Sequence, residues 1–227
     1  MPARFEPFVT GDIYHTFNKT IDHRRIFHFP GYAQLFLDIL RYYQSTKITV
    51  SFSDFKTLTP DDQRDLQKEF TLRKYFRVDI LAYCLMPNHF HLLLRQKKDN
   101  GVSRYISDSL NSLTRSYNLR TKRLGPVFLP TFKSAHMFSD EQLLHVSRYI
   151  HLNPYTSSLA SSFEELKRYP WSSFTEYTTP GRIKNSLSHP YLILSYFERN
   201  KKKYEEFVLD NADYQRSLHH LRHLEKW

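Results

Sequence analysis

The chain has 227 residues, with 33 Lys and Arg against 23 Asp and Glu, a formal net charge of +10. That length supports one domain with a real core plus an appendage, and the positive balance favours an acidic partner such as nucleic acid. A single cysteine, Cys84, excludes an intrachain disulfide framework, and no apolar run reaches the length of a membrane span. With no secretory hydrophobic region at the N-terminus, the expected location is cytoplasmic and no membrane partner is expected. Aromatic residues make up 16% of the chain, enough to fill a core and to offer stacking surfaces for bases.

In chain order, Phe8 to Lys19 reads as a strand rich in β-branched and aromatic residues. Gly31 to Gln44 has apolar residues at helical spacing, with Leu35, Leu37 and Leu40 towards a core. "KITVSFSDF" is strand-like, and "TPDDQRDLQKEF" opens with Thr59, Pro60 and acidic residues, a helix start. Phe76 to Gln96 reads as a hairpin: a long apolar strand, a turn at Met86-Pro87-Asn88, and a return through "HFHLLLRQ". Ser103 is expected to open a helix with the stripe Ile106, Leu110, Leu113 and Tyr117. "GPVFLPTFKSAHMF" is extended. Ser139 with Gln142 forms a capping-box pattern for a helix reaching about Asn153, with Leu143, Val146 and Ile150 inward. Pro154 to Gly181 reads as loop-rich, and Tyr191 to Leu209 as one or two helices.

Two stretches invite chemistry. In "LMPNHFHLLL" (Leu85 to Leu94), residues two apart on a strand share a face, so His89 and His91 project together while Phe90, Leu92 and Leu94 point the other way. Paired imidazoles suit a divalent metal, although surface histidines on a half-exposed strand would give the same letters. In "SDEQLLHVSRYIHLNP" (Ser139 to Pro154), His145, Tyr149 and Asn153 recur four apart and line one helix face. Pro154 disfavours helix at Asn153, which places that amide at the helix end. A satisfied core tyrosine and a C-terminal stop signal are the plainer readings of Tyr149 and Asn153.

Together, "YCLMPNHFHLLL" and "SRYIHLNP" strongly resemble the REP-associated and related single-tyrosine HUH (IS200-like) transposases, named for the His-hydrophobic-His signature that here is His89, Phe90 and His91. "YHTFNKTIDHRRIF", "GPVFLPTFKS" and "YPWSSFTEY" extend the likeness along the chain, and "YLILSYFERNKKKYEEFV" resembles the helical extension of some members. The resemblance implies an α+β, ferredoxin-like antiparallel sheet with helices packed on it, a transposase domain over residues 1–180 and a C-terminal helical extension over 181–227. It implies Tyr149 as the nucleophile and His89, His91 and Asn153 as ligands of a divalent metal, magnesium or manganese.

The activity so implied is metal-dependent cleavage and strand transfer of single-stranded DNA, commonly beside a hairpin, through a 5′-phosphotyrosine link. The alternatives are a non-cleaving nucleic-acid-binding module of the same fold and a phosphodiesterase that uses water. Lys19, Arg104, Arg115, Arg120, Lys122, Arg123 and Lys133 are candidate contacts to the DNA backbone, and His145 is a candidate aid to Tyr149. The assembly expected is a monomer or a homodimer. Two departures from the family pattern bear on strand handling. Lys19 and Thr20 stand where many relatives carry Arg-Gly, and Leu129 and Thr131 where Gln and Arg are common.

Overall fold

The computed structural model describes residues 7–181, 186–213 and 215. Its order of elements is strand β1 (Ile13–Lys19), helices α1 (Pro30–Tyr43), α2 (Phe52–Thr57) and α3 (Pro60–Phe70), strands β2 (Val78–Met86) and β3 (His89–Gln96), helix α4 (Gly101–Thr121), strand β4 (Lys133–His136), and helices α5 (Asp140–Thr156), α6 (Phe163–Arg168), α7 (Phe174–Thr178), α8 (Tyr191–Ser195) and α9 (Lys201–Leu209). The strands form a four-stranded sheet in the order β2-β3-β1-β4.

Every neighbouring pair is antiparallel. Pro87 and Asn88 turn β2 into β3. Gly11 and Thr20, at the two ends of β1, bond with Gln96 and Asn88 at opposite ends of β3. Tyr14 pairs with His136 and Phe17 with Lys133. This strand order, with α1 and α4 as the two crossovers, is the ferredoxin-like plan, so the expected α+β fold is the one observed.

The chain divides into two compact units. One comprises the described residues of Met1–Asp79 with Pro87–His89 and Leu94–His136; the other comprises Ile80–Met86, Phe90–Leu93 and the described residues of Met137–Trp227. In the first, α1 and α4 pack together, and the buried Tyr105 hydroxyl donates to the Leu40 carbonyl at 3.1 Å. Asp79 is fully buried there and is bound by Arg73 at 2.9 Å and Arg95 at 2.7 Å, with Lys97 at 3.6 Å. In the second, β2 is an edge strand whose free side is covered: Leu85 N–H donates to Trp171 O, Ser173 N–H to Tyr83 O, and His189 N–H to Ile80 O. Covering an edge in this way blunts pairing with other chains.

Several sequence expectations are corrected. β1 begins at Ile13 and not Phe8, because Gly11 takes φ 101 in a preceding turn. "KITVSFSDF" is not a strand. Ser51 accepts from Asp54 N–H and donates to the Asp54 carboxylate, a reciprocal cap that starts α2. Leu35 is only half-buried, and Phe36 and Ile39 take its place in the core. Helix α4 opens at Gly101, where any side chain would collide with the Arg77 carbonyl, and not at Ser103. Leu110, Tyr117 and Val146 are half-buried, while Tyr105, Ser109 and Ser147 lie inside.

Helix α5 runs past Pro154 to Thr156. Its last turn is held by the Thr156 and Ser157 hydroxyls, which donate to Asn153 O at 3.2 and 2.7 Å. The stretch expected to be loop-rich holds α6 and α7, the first capped by Ser162. The expected C-terminal helices are α8 and α9; residues 182–185, 214 and 216–227 of the anticipated extension lie outside the described residues.

Candidate active site

β3 is an inner strand and is buried on both faces. Phe90, Leu92 and Leu94 are fully buried on one side, and His91 is 5% exposed on the other. The reading of His91 as a surface residue is thereby excluded. Phe90 holds the strand by burial; removing a ring of this kind costs about 3–5 kcal/mol. His89, at the start of the strand, is half-buried. Its Nδ1 lies 2.8 Å from Asn88 Oδ1. An amide oxygen only accepts, so this bond favours the tautomer with the proton on Nδ1.

The turn before His89 is fixed in turn by Thr20. Its N–H donates to Asn88 O at 2.8 Å, its hydroxyl donates to Arg24 O at 2.7 Å with Asn88 O further off at 3.1 Å, and it is 2% exposed. Thr20, which departs from the family pattern, therefore serves here to brace the turn that carries His89.

α5 supplies the other side chains. Ser139 caps it by accepting from Gln142 N–H, and Gln142 reaches back to Phe138 N–H, two bonds of the anticipated capping kind. Tyr149 is 40% exposed, and its ring meets the His91 ring edge-on with centroids 5.4 Å apart. Asn153 is buried, and its Nδ2 donates to Tyr149 O at 2.9 Å. This bond turns the amide so that Oδ1 is the atom free of the helix backbone. His91, Tyr149 and Asn153 thus belong to one unit, and His89 shares a face with His91 on the continuous strand β3.

His145 is placed differently. Its Nδ1 lies 2.6 Å from Arg148 Nη2 and its Nε2 lies 3.6 Å from Glu141 Oε1, so it is engaged along its own helix.

The basic candidates all fall in the first unit. Lys19 ends β1 and Lys133 opens β4, both exposed. Arg104 and Arg115 are exposed and lie about three turns apart on one face of α4. Arg120 lies on another side of α4, its guanidinium 5.9 Å from the Tyr32 ring centroid. Lys122 ends the helix at φ 51, and Arg123 donates to Asn118 at 3.2 Å.

Among the described residues no three His, Cys, Asp or Glu side chains are grouped as metal ligands. By donor type alone, two imidazoles and one amide oxygen, His89, His91 and Asn153 are a set that suits a divalent ion. Sequence reasoning named Asn88 as a turn residue and Thr20 as a departure from the family pattern, but not their places beside His89. It also missed His151, two residues beyond Tyr149 in the same motif.

Residues 55–153, which contain the first motif and the second up to Asn153, match the family model described as "Transposase IS200 like". The resemblance read from the two motifs is therefore borne out over that segment. A solved structure described as "Structure of the REP associates tyrosine transposase bound to a REP hairpin" superimposes with a TM-score of 0.52 at 15% identity, over 83% of this chain and 92% of that one. At that identity the likeness establishes the shared fold. A search of curated proteins found no significant match.

Proposed function

We propose that this chain is an IS200-like transposase that cleaves and rejoins single-stranded DNA beside a hairpin, with Tyr149 as its nucleophile. The observation that carries the reading is the edge-on contact of Tyr149 with the buried His91, with Asn153 one helical turn further on. The family match over 55–153 supports the class of activity, and the hairpin bound to the similar solved structure supports the class of substrate.

In this reading the phenolic oxygen of Tyr149 attacks the scissile phosphorus in line. A bond forms from phosphorus to the tyrosine oxygen and the bond to the 3′ oxygen breaks. The phenol loses its proton and the departing 3′ oxygen gains one. A free phenol has a pKa of about 10, so the reaction depends on a local field that favours its anion. A divalent ion held by His89, His91 and Asn153 Oδ1 would supply that field and neutralise charge on the phosphate. Tyr149 is exposed enough to meet a strand, while burial of His91 and Asn153 fixes what lies behind it. The phosphotyrosine bond keeps the energy of the phosphodiester, so a second 3′ hydroxyl can reverse the step and join a new strand. The exposed cations of α4, β1 and β4 would neutralise the DNA backbone.

The test is a denaturing gel. Labelled hairpin-bearing single-stranded DNA with manganese is incubated with wild type, Tyr149→Phe and a His89→Ala/His91→Ala double variant. A protein-linked band in the wild type alone supports the proposal. Cleavage that persists in Tyr149→Phe, without a linked band, means hydrolysis by water. Binding without cleavage in any of the three means a non-cleaving module.

A further inference from the structure

Two residues beyond Tyr149, His151 is fully buried, and both of its ring nitrogens are bonded to hydroxyls. Nδ1 lies 2.7 Å from the Tyr204 hydroxyl and Nε2 lies 2.8 Å from Ser173 Oγ. The directions of the surrounding bonds favour one arrangement. Tyr204 donates to Ser147 Oγ at 3.1 Å, and Ser147 donates to Leu144 O at 2.8 Å, so Tyr204 accepts from His151 Nδ1–H. Ser173 Oγ accepts from Tyr83 N–H at 2.9 Å, and its one proton has two acceptors, His151 Nε2 at 2.8 Å and Tyr83 O at 3.2 Å, of which the nearer is His151. Burial holds the imidazole neutral, its pKa lowered to about 3. The rings of Phe174, Tyr177 and Tyr204 enclose it at 5.3, 4.8 and 5.7 Å.

The same face of α9 grips α5 on both sides of Tyr149. The Arg148 guanidinium lies 4.5 Å over the Phe207 ring and donates to Phe207 O at 3.4 Å. Further on, the Tyr155 hydroxyl donates to Asp213 at 2.8 Å. Asn200 caps α9 by accepting from Lys202 and Lys203 N–H, which fixes where the helix starts. Ser147, Arg148, His151 and Tyr155 of α5 are thus all tied to the C-terminal segment, while the Tyr149 ring meets His91 of β3.

We infer that His151 and Tyr204 are positioning residues: through them α9 locks α5 in the rotation and register that hold Tyr149 against His91. This rests on the reading of Tyr149 as the nucleophile. A neutral buried histidine with two hydroxyl partners is a poor catalyst and a good spacer. It contributes a fixed donor and a fixed acceptor at opposite ends of one rigid ring, which aliphatic packing cannot do. Small displacements of a nucleophile slow chemistry steeply while leaving substrate binding intact.

The test uses the full chain as wild type, Tyr204→Phe and His151→Gln, with Ser147→Ala as the milder variant should either fail to fold and Lys202→Ala as a surface control. Two quantities are measured: the rate constant for forming the protein–DNA adduct alongside the dissociation constant for the same hairpin DNA, and backbone hydrogen exchange in peptides from α5 and α4. The inference expects Tyr204→Phe to slow adduct formation by roughly tenfold to a hundredfold with the DNA dissociation constant unchanged. It also expects α5 to exchange faster while α4 does not change. Unaltered α5 exchange in Tyr204→Phe and His151→Gln would overturn it, as would a loss confined to DNA affinity. If the wild type forms no adduct at all, the proposed function fails, and α5 exchange alone decides whether the clamp exists.

Discussion

The ring of His91 on β3 meets the ring of Tyr149 on α5 edge-on at 5.4 Å, within a single chain. The histidine is buried and the tyrosine is 40% exposed, so the contact anchors a side chain that remains accessible. With Tyr149 as the proposed nucleophile, this contact predicts that it serves the histidines of its own chain. Mixing Tyr149→Phe with His91→Ala protein should therefore not restore adduct formation. Recovery of a substantial share of wild-type activity in the mixture would show that the helix is exchanged between copies.

Asn88 Oδ1 lies 2.8 Å from His89 Nδ1 and favours the tautomer protonated there. Asn88→Ala keeps the backbone carbonyl that Thr20 uses but frees the imidazole to rotate and change tautomer. If His89 binds the ion as proposed, the expected result is that half-maximal adduct formation needs about 10–100-fold more manganese, the usual effect of losing a partner behind a metal ligand, with DNA affinity unchanged in the absence of metal. Titrating adduct formation against manganese reads it directly.

Arg104 and Arg115 share an exposed face of α4. Changing both to Gln should weaken hairpin DNA binding and reduce the slope of log K against log salt by about 0.7–0.9 per charge removed. Fluorescence anisotropy at several salt concentrations gives the slope. An unchanged slope would remove α4 from the DNA path.

Asp79 lies buried among cations. Its burial works to raise the carboxyl pKa, but the bonds from Arg73 and Arg95 and the charges of Arg73 and Lys97 outweigh this and lower it to about 2. A folded-state pKa below the unfolded value of about 3.9 stabilises the fold above that value, and the contribution is lost as pH falls towards the folded value. The shift corresponds to about 2 kcal/mol, present at neutral pH and lost between about pH 4 and pH 2. Urea unfolding should show this loss in the wild type. Asp79→Asn should be less stable at pH 7 and should lack the Asp79 share of the decline.

Much of the site could be read from local pattern. The β2–β3 hairpin announced itself through an apolar run, Pro87-Asn88 and the alternation around Phe90, and the placement of His89 and His91 on one face followed from the period of a strand. The four-residue spacing of Tyr149 and Asn153 gave a shared helix face by the same logic. What escaped detection depended on distant partners or on competing local rules. The β-branched and aromatic letters of "KITVSF" outweighed the Ser51–Asp54 cap that starts α2. The proline rule stopped α5 too early, because it takes no account of the hydroxyls of Thr156 and Ser157 that hold the last turn. His151 looks like any helix residue in sequence; its role depends on Tyr204 and Ser173, each remote along the chain and brought near only by folding.

The most direct measurement of the central claim is mass spectrometry of the adduct. Wild-type protein is incubated with hairpin-bearing single-stranded DNA and manganese, digested with protease and nuclease, and searched for a nucleotide-modified peptide. The account predicts a 5′-phosphonucleotide on the peptide that spans Tyr149, with fragment ions placing it on that residue and no such peptide from Tyr149→Phe. A modification on another tyrosine, or cleaved DNA with no modified peptide, would contradict it.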